Sequence, residues 1–195
     1  MDTLQIQIDH YKETCELQRE SIKSRNRFFV YIWIDVFFLF LFVFAKTETL
    51  SAVQQWLSNQ YGINTSFSST VFLALIWLLL LYFSIRYIQS NVKIERDYSY
   101  IQSLEKVIEN TGCTVFCREG KEYLNNYPFI LNYIDFLYKW FFPILLIISV
   151  IVKIIIEISD HQSFFGILLD FVISVVIVSL WIAYLVFLRK LTKGS

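Results

Sequence analysis

The chain has 195 residues, 56% hydrophobic, 18% aromatic and only 17% charged, with 17 Lys and Arg balanced by 17 Asp and Glu. That composition lies far from the soluble average and leaves too little polar chain for a large soluble catalytic domain. The balance of charge argues against direct nucleic-acid binding, which needs a net basic face.

Residues 1–27 read as an amphipathic helix. Leu4, Ile8, Tyr11, Cys15 and Ile22 recur in steps of four and three, with a gap at Gln18. The spacing is close to a heptad seam on an otherwise charged segment. No Gly or Pro interrupts it before the first apolar run, Phe28–Ala45, so one helix is expected from about Thr3 to Ala45. This run begins behind a long charged stretch without a small-residue cleavage pattern, and reads as a retained anchor and not a cleaved signal.

Three more apolar runs follow: Thr70–Ile88, Phe136–Ile156 and Gly166–Leu188. About 20 apolar helical residues cross a ~30 Å bilayer core. Backbone groups in lipid must bond within their own segment, so these runs are expected as helices. Between the first two, Leu50, Val53, Trp56, Leu57 and Tyr61 are spaced for a short helix lying on the outer surface. Asn64-Thr65-Ser66 matches a glycosylation sequon.

The second run does not stop at the membrane. Thr70 to about Asn110 lacks Gly and Pro, and Ile94, Tyr98, Ile101, Leu104 and Ile108 form an apolar stripe. Asn110-Thr111-Gly112 supplies the stop. The two extensions run in opposite directions, so their stripes can pair as an antiparallel stalk, within one chain or across subunits. The other reading lays each on the lipid surface. The five stripe residues are the candidates for docking a partner. Next, Thr114–Arg118 is spaced for a short strand, Glu119-Gly120-Lys121 for a turn and Glu122–Asn126 for a helical turn. Phe129–Trp140 is again amphipathic and leads to Pro143, a point for a kink.

The fold expected is therefore all-α: four transmembrane helices, with helical extensions of the first and second spans. Its segments are 1–27, a hairpin over 28–88, a cytoplasmic piece over 89–128, a second hairpin over 129–190 and a tail over 191–195. Lys and Arg orient it. Fourteen lie in the N-terminal segment, the second loop and the tail, against Lys46 alone in the outer loops. Both termini and the second loop are expected on the cytoplasmic side of the membrane.

Ionisable side chains inside lipid are costly and call for a partner or a purpose. Asp35 lies two turns into the first span, Lys139 and Lys153 on the third, and Asp170 early in the fourth. Lys153 and Asp170 approach similar depth from opposite directions and are candidates for an interhelical pair, with Glu157 as a rival. An ion path, a proton relay and a purely structural role all remain open for these four. No catalytic set, metal set or cofactor loop is evident. Cys15, Cys113 and Cys117 read as reduced thiols, and His10 and His161 fall on opposite sides of the membrane.

Tyr11–Arg27 leading into Phe28–Ala45, and the prolonged helix Thr70–Asn110 carrying Ile94-Glu95-Arg96-Asp97, resemble small bacterial membrane components of anti-phage defence. These include the four-span membrane subunit of the Kiwa system and the SLATT-type effectors, which place a cytoplasmic helix before paired spans. Four spans depart from the two-span SLATT pattern. The resemblance is architectural, covers most of the chain and transfers no catalytic residue. It implies a homo-oligomer that senses or permeabilises a bacterial inner membrane and a cytoplasmic protein partner. The alternatives are a stand-alone ion channel or transporter, and an assembly or immunity factor bound to another membrane protein.

Overall fold

The computed structural model describes residues 3–62, 69–109, 129–159 and 164–194. All of these residues but Ala45 and Gly62 are helical, and no strand occurs among them. In chain order they form α1 (Thr3–Phe44), α2 (Lys46–Tyr61), α3 (Ser69–Glu109), α4 (Phe129–Phe136), a π-helical turn (Leu137–Phe141), α5 (Phe142–Ser159) and α6 (Phe164–Gly194). The expected strand at Thr114–Arg118, the turns after it, Cys113, Cys117, the sequon, Asp160 and His161 lie outside the described residues.

Helices α1 and α3 contain 42 and 41 residues without a break, because neither holds a Gly or Pro. Each is about 60 Å long at 1.5 Å per residue. Three stretches are long and apolar enough to cross a membrane: Val71–Ile108, Leu137–Ile156 and Leu168–Lys190. A fourth candidate is the pair Gln5–Phe42 and Lys46–Tyr61, bent by 116° between them. These features fit a multi-pass membrane protein. Helix α2 buries none of its side chains. It ends at Gly62, whose left-handed backbone (φ 67°) lets its N–H reach the Ser58 carbonyl at 3.0 Å.

Pro143 explains the wide turn before α5. It has no N–H to give to the carbonyl one turn back, so the regular ladder fails there. The π-helical Leu137–Phe141 absorbs that failure just ahead of it, where a kink was expected.

The chain divides into two compact units, Met1–Phe28 with Arg86–Leu137, and Phe29–Ile85 with Tyr138–Ser195. In the first, α1 and α3 pair antiparallel within one chain. Tyr11, Ile101 and Ile108 form its buried cluster, with Cys15 and Leu104 packed against them. The seam is more polar than the stripe on α1 suggested. Thr14 and Ser21 are buried, and Gln18, expected as a gap, is 2% exposed. Thr14 and Ser21 tolerate this because their hydroxyls donate back to the carbonyls of His10 (2.8 Å) and Leu17 (2.9 Å).

The second unit packs parts of α1, α3, α5 and α6 around Ile32, Leu39, Trp77, Leu80, Val150, Ile177 and Trp181. Aromatic rings lock the start of α5. Phe142 lies 4.7 Å from Phe29, 5.7 Å from Trp33 and 5.6 Å from Trp181. The outer surface is as apolar as the core, with Phe37, Leu75, Leu78, Ile148, Ile155 and Val172 exposed. Water does not tolerate such a continuous apolar surface, and lipid does.

Candidate functional site

Three ionisable side chains lie inside the second unit, where the neighbours are apolar. Lys153 on α5 and Asp170 on α6 are 3% and 5% exposed, with Nζ 3.7 Å from Oδ2. The pairing follows from register. Phe142 meets Trp181 at the other end of the same two antiparallel helices. Stepping α5 forward and α6 back by eleven residues from there brings Lys153 opposite Asp170. The Glu157 side chain lies outside the described residues.

Lys153 has a second neighbour that sequence reasoning did not supply. Its Nζ lies 5.0 Å from the centroid of the Trp77 ring on α3. A desolvated ammonium over an indole face is attracted by the ring quadrupole. Trp77 sits in an unbroken apolar run, so nothing in its local sequence marks it. The ammonium is thus held by a carboxylate from α6 and a ring from α3, which ties three helices together. A polar bridge of the same kind joins Trp181 Nε1, which donates to Ser84 Oγ at 3.2 Å.

Asp35 is different. It is 5% exposed on α1, and its Oδ2 has no hydrogen-bond partner among the described residues. Trp77 Nε1 also lacks one. Tyr31 faces Phe83 and Phe42 faces Phe72 on α3 (5.3 and 5.0 Å), a register that sets Asp35 level with Leu79 and within one turn of Trp77. A buried acceptor without a donor is rare and calls for an explanation. An ion, a water or a donor from a second copy can supply it. Lys139 lies on the π-helical turn and is half-buried.

The five stripe residues divide. Ile94, Ile101 and Ile108 are buried, and Leu104 is half-buried against the cluster. Tyr98 is 39% exposed. Sequence reasoning did not find the buried polar contact between these helices. Tyr11 donates its hydroxyl to Glu105 Oε1 at 3.0 Å. Burial, and next this hydrogen bond, hold the Tyr11 phenol well above its usual value. Glu105 was a signal available in the sequence, as an acid one turn beyond Ile101 on the apolar stripe. Beside it, His10 Nε2 lies 2.9 Å from the Tyr100 hydroxyl. Among the described residues, no three His, Cys, Asp or Glu side chains are grouped to hold a metal.

No family model, curated protein or solved structure matches this chain.

Proposed function

We propose that this chain is a non-enzymatic, oligomeric subunit of a bacterial inner membrane that serves in anti-phage defence and docks a cytoplasmic protein partner. In this reading it crosses the membrane four times, through the second half of α1, the first half of α3, α5 and α6. Both termini and residues 89–128 face the cytoplasm, on the strength of the Lys and Arg count. The observation behind the proposal is that α1 and α3 each run unbroken from the charged unit into the apolar one. The charged unit holds no metal or catalytic set among its described residues, so in this reading it serves as a surface for a partner.

Tyr98 is the stripe residue with surface left for that partner. The test is co-purification of the full chain with the product of the adjacent gene, under a detergent that preserves oligomers. The proposal expects a stable complex that Tyr98→Ala weakens, on an oligomeric membrane component. A monodisperse monomer that captures nothing overturns it.

A stand-alone ion channel is the second reading, and Asp35 favours it. A buried carboxylate oxygen without a donor is what an ion path through an oligomer needs. Ion flux in liposomes holding the purified chain alone, lost in Asp35→Asn, decides for that reading.

A further inference from the structure

Within the charged unit, α1 and α3 enclose an open groove of about 770 Å³. Four cations line it, Lys23 and Arg27 from α1 and Arg86 and Lys93 from α3, against one acid, Glu20. Among the described residues none of the four makes an ion pair. Lys12 by contrast does, at 3.9 Å from Asp9. Arg27 and Arg86 are gathered closely. Their guanidinium carbons lie 5.8 and 5.6 Å from the centroid of the same ring, Phe28. Two like charges on one ring repel, and an anion between them relieves that repulsion.

We propose that this groove binds the phosphate group of an anionic phospholipid. A guanidinium presents a planar fork that suits phosphate oxygens, and a lysine adds a point charge. Ser24 and Ser90 line the same groove and supply neutral hydroxyl donors. Glu20 leaves a net charge of three on the groove, enough for one phosphodiester with charge to spare. The position along the chain favours a lipid over a soluble anion. Arg27 directly precedes the apolar run Phe28–Ala45, and Arg86 lies at the end of the run Thr70–Ile88. Both helices change from apolar to charged at the groove, the level at which headgroups lie beside a membrane-crossing helix. Basic pockets on the cytoplasmic side of membrane helices suit anionic headgroups for that reason. The inference rests on the membrane reading of these runs and needs neither the defence role nor the partner.

The test uses the full chain purified in a neutral maltoside detergent. Its unfolding temperature and binding isotherm are measured with added phosphatidylglycerol, phosphatidylcholine or inorganic phosphate. Phosphatidylglycerol is expected to bind and raise the unfolding temperature, and phosphatidylcholine is not. Arg27→Gln with Arg86→Gln is expected to weaken phosphatidylglycerol binding about tenfold to thirtyfold. Arg96→Gln, on α3 outside the groove lining, is expected to leave it unchanged. If the arginine pair variant is less stable in phosphatidylcholine, Lys23→Gln with Lys93→Gln replaces it, since these two also line the groove and leave both arginines on the Phe28 ring. Protection by inorganic phosphate as strong as by the lipid transfers the site to a soluble phosphate. Equal response to the two lipids, or groove variants that bind phosphatidylglycerol as the wild type does, overturns the proposal.

Discussion

Asp170→Asn leaves Lys153 charged and buried, and the structure says how much that costs. The two groups are 3.7 Å apart and at most 5% exposed. Unit charges at that distance attract by about 4 kcal/mol at an effective dielectric near ~20. Removing one partner of a buried pair costs ~3–5 kcal/mol, because the survivor keeps its desolvation penalty. The Trp77 face at 5.0 Å still holds the ammonium in this variant and offsets about 1–2 kcal/mol. The expected loss is therefore about 3 kcal/mol, at the low end of that range. Lys153→Met with Asp170→Leu removes both charges and fills the space, and should lie within ~1 kcal/mol of wild type or above it. The assay is reversible unfolding in mixed micelles with rising dodecyl sulfate, followed by helix content, across both single variants and the double. The coupling should reach about 2 kcal/mol. A loss below ~1 kcal/mol in Asp170→Asn, or a double variant as unstable as the two singles added together, refutes the argument.

Asp35→Asn should leave expression and stability unchanged within ~1 kcal/mol, since it replaces a desolvated carboxyl group, whose Oδ2 lacks a donor, with a neutral amide of the same shape; if the acid serves packing between copies, the oligomer seen by light scattering falls apart instead. Tyr11→Phe deletes the hydrogen bond to Glu105 and should lower the stability of the α1–α3 pair by about 1–2 kcal/mol, read as faster amide hydrogen exchange in both helices. The same phenol sets a pH dependence. Its folded value is raised, so its contribution is fully present below about pH 10 and is lost as the unfolded chain ionises above that. Wild type should lose stability above pH ~10, and Tyr11→Phe should lose less over the same interval. Trp181→Phe removes the donor to Ser84 from a fully buried site and should cost ~2–3 kcal/mol, measured by the same micelle titration.

The lengths of α1 and α3 were readable in advance because neither Gly nor Pro interrupts them and because the apolar run of α1 ends at Ala45, where the chain bends although neither residue is present. The Lys153–Asp170 pair was readable because two antiparallel helices joined by a short connection place residues at predictable depth. The rotation of each helix about its axis was another matter. An amphipathic helix advertises its buried face by polarity contrast, and a helix apolar all round has none. Trp33, Trp77 and Trp181 all lie in apolar runs, yet Trp33 is well exposed while Trp77 and Trp181 are fully buried. The seam of the charged unit misled in the opposite direction. Thr14, Ser21 and Asn91 are polar and were not assigned to it, but each bonds to the carbonyl four residues back and so enters the seam without an unmet hydrogen bond.

Composition and periodicity alone determined that the described segments are helical, that the apolar runs are long enough for lipid, and which side chains are costly to bury there. These are properties of single segments, and a single segment suffices to reveal them. Only the tertiary structure decided that Trp77 caps Lys153, that Tyr11 meets Glu105, and that Arg27 and Arg86 share one ring. Each of those contacts joins residues that are distant along the chain. Their meeting depends on the rotation and register of whole helices, which the sum of many weak packing contacts sets and no local pattern encodes.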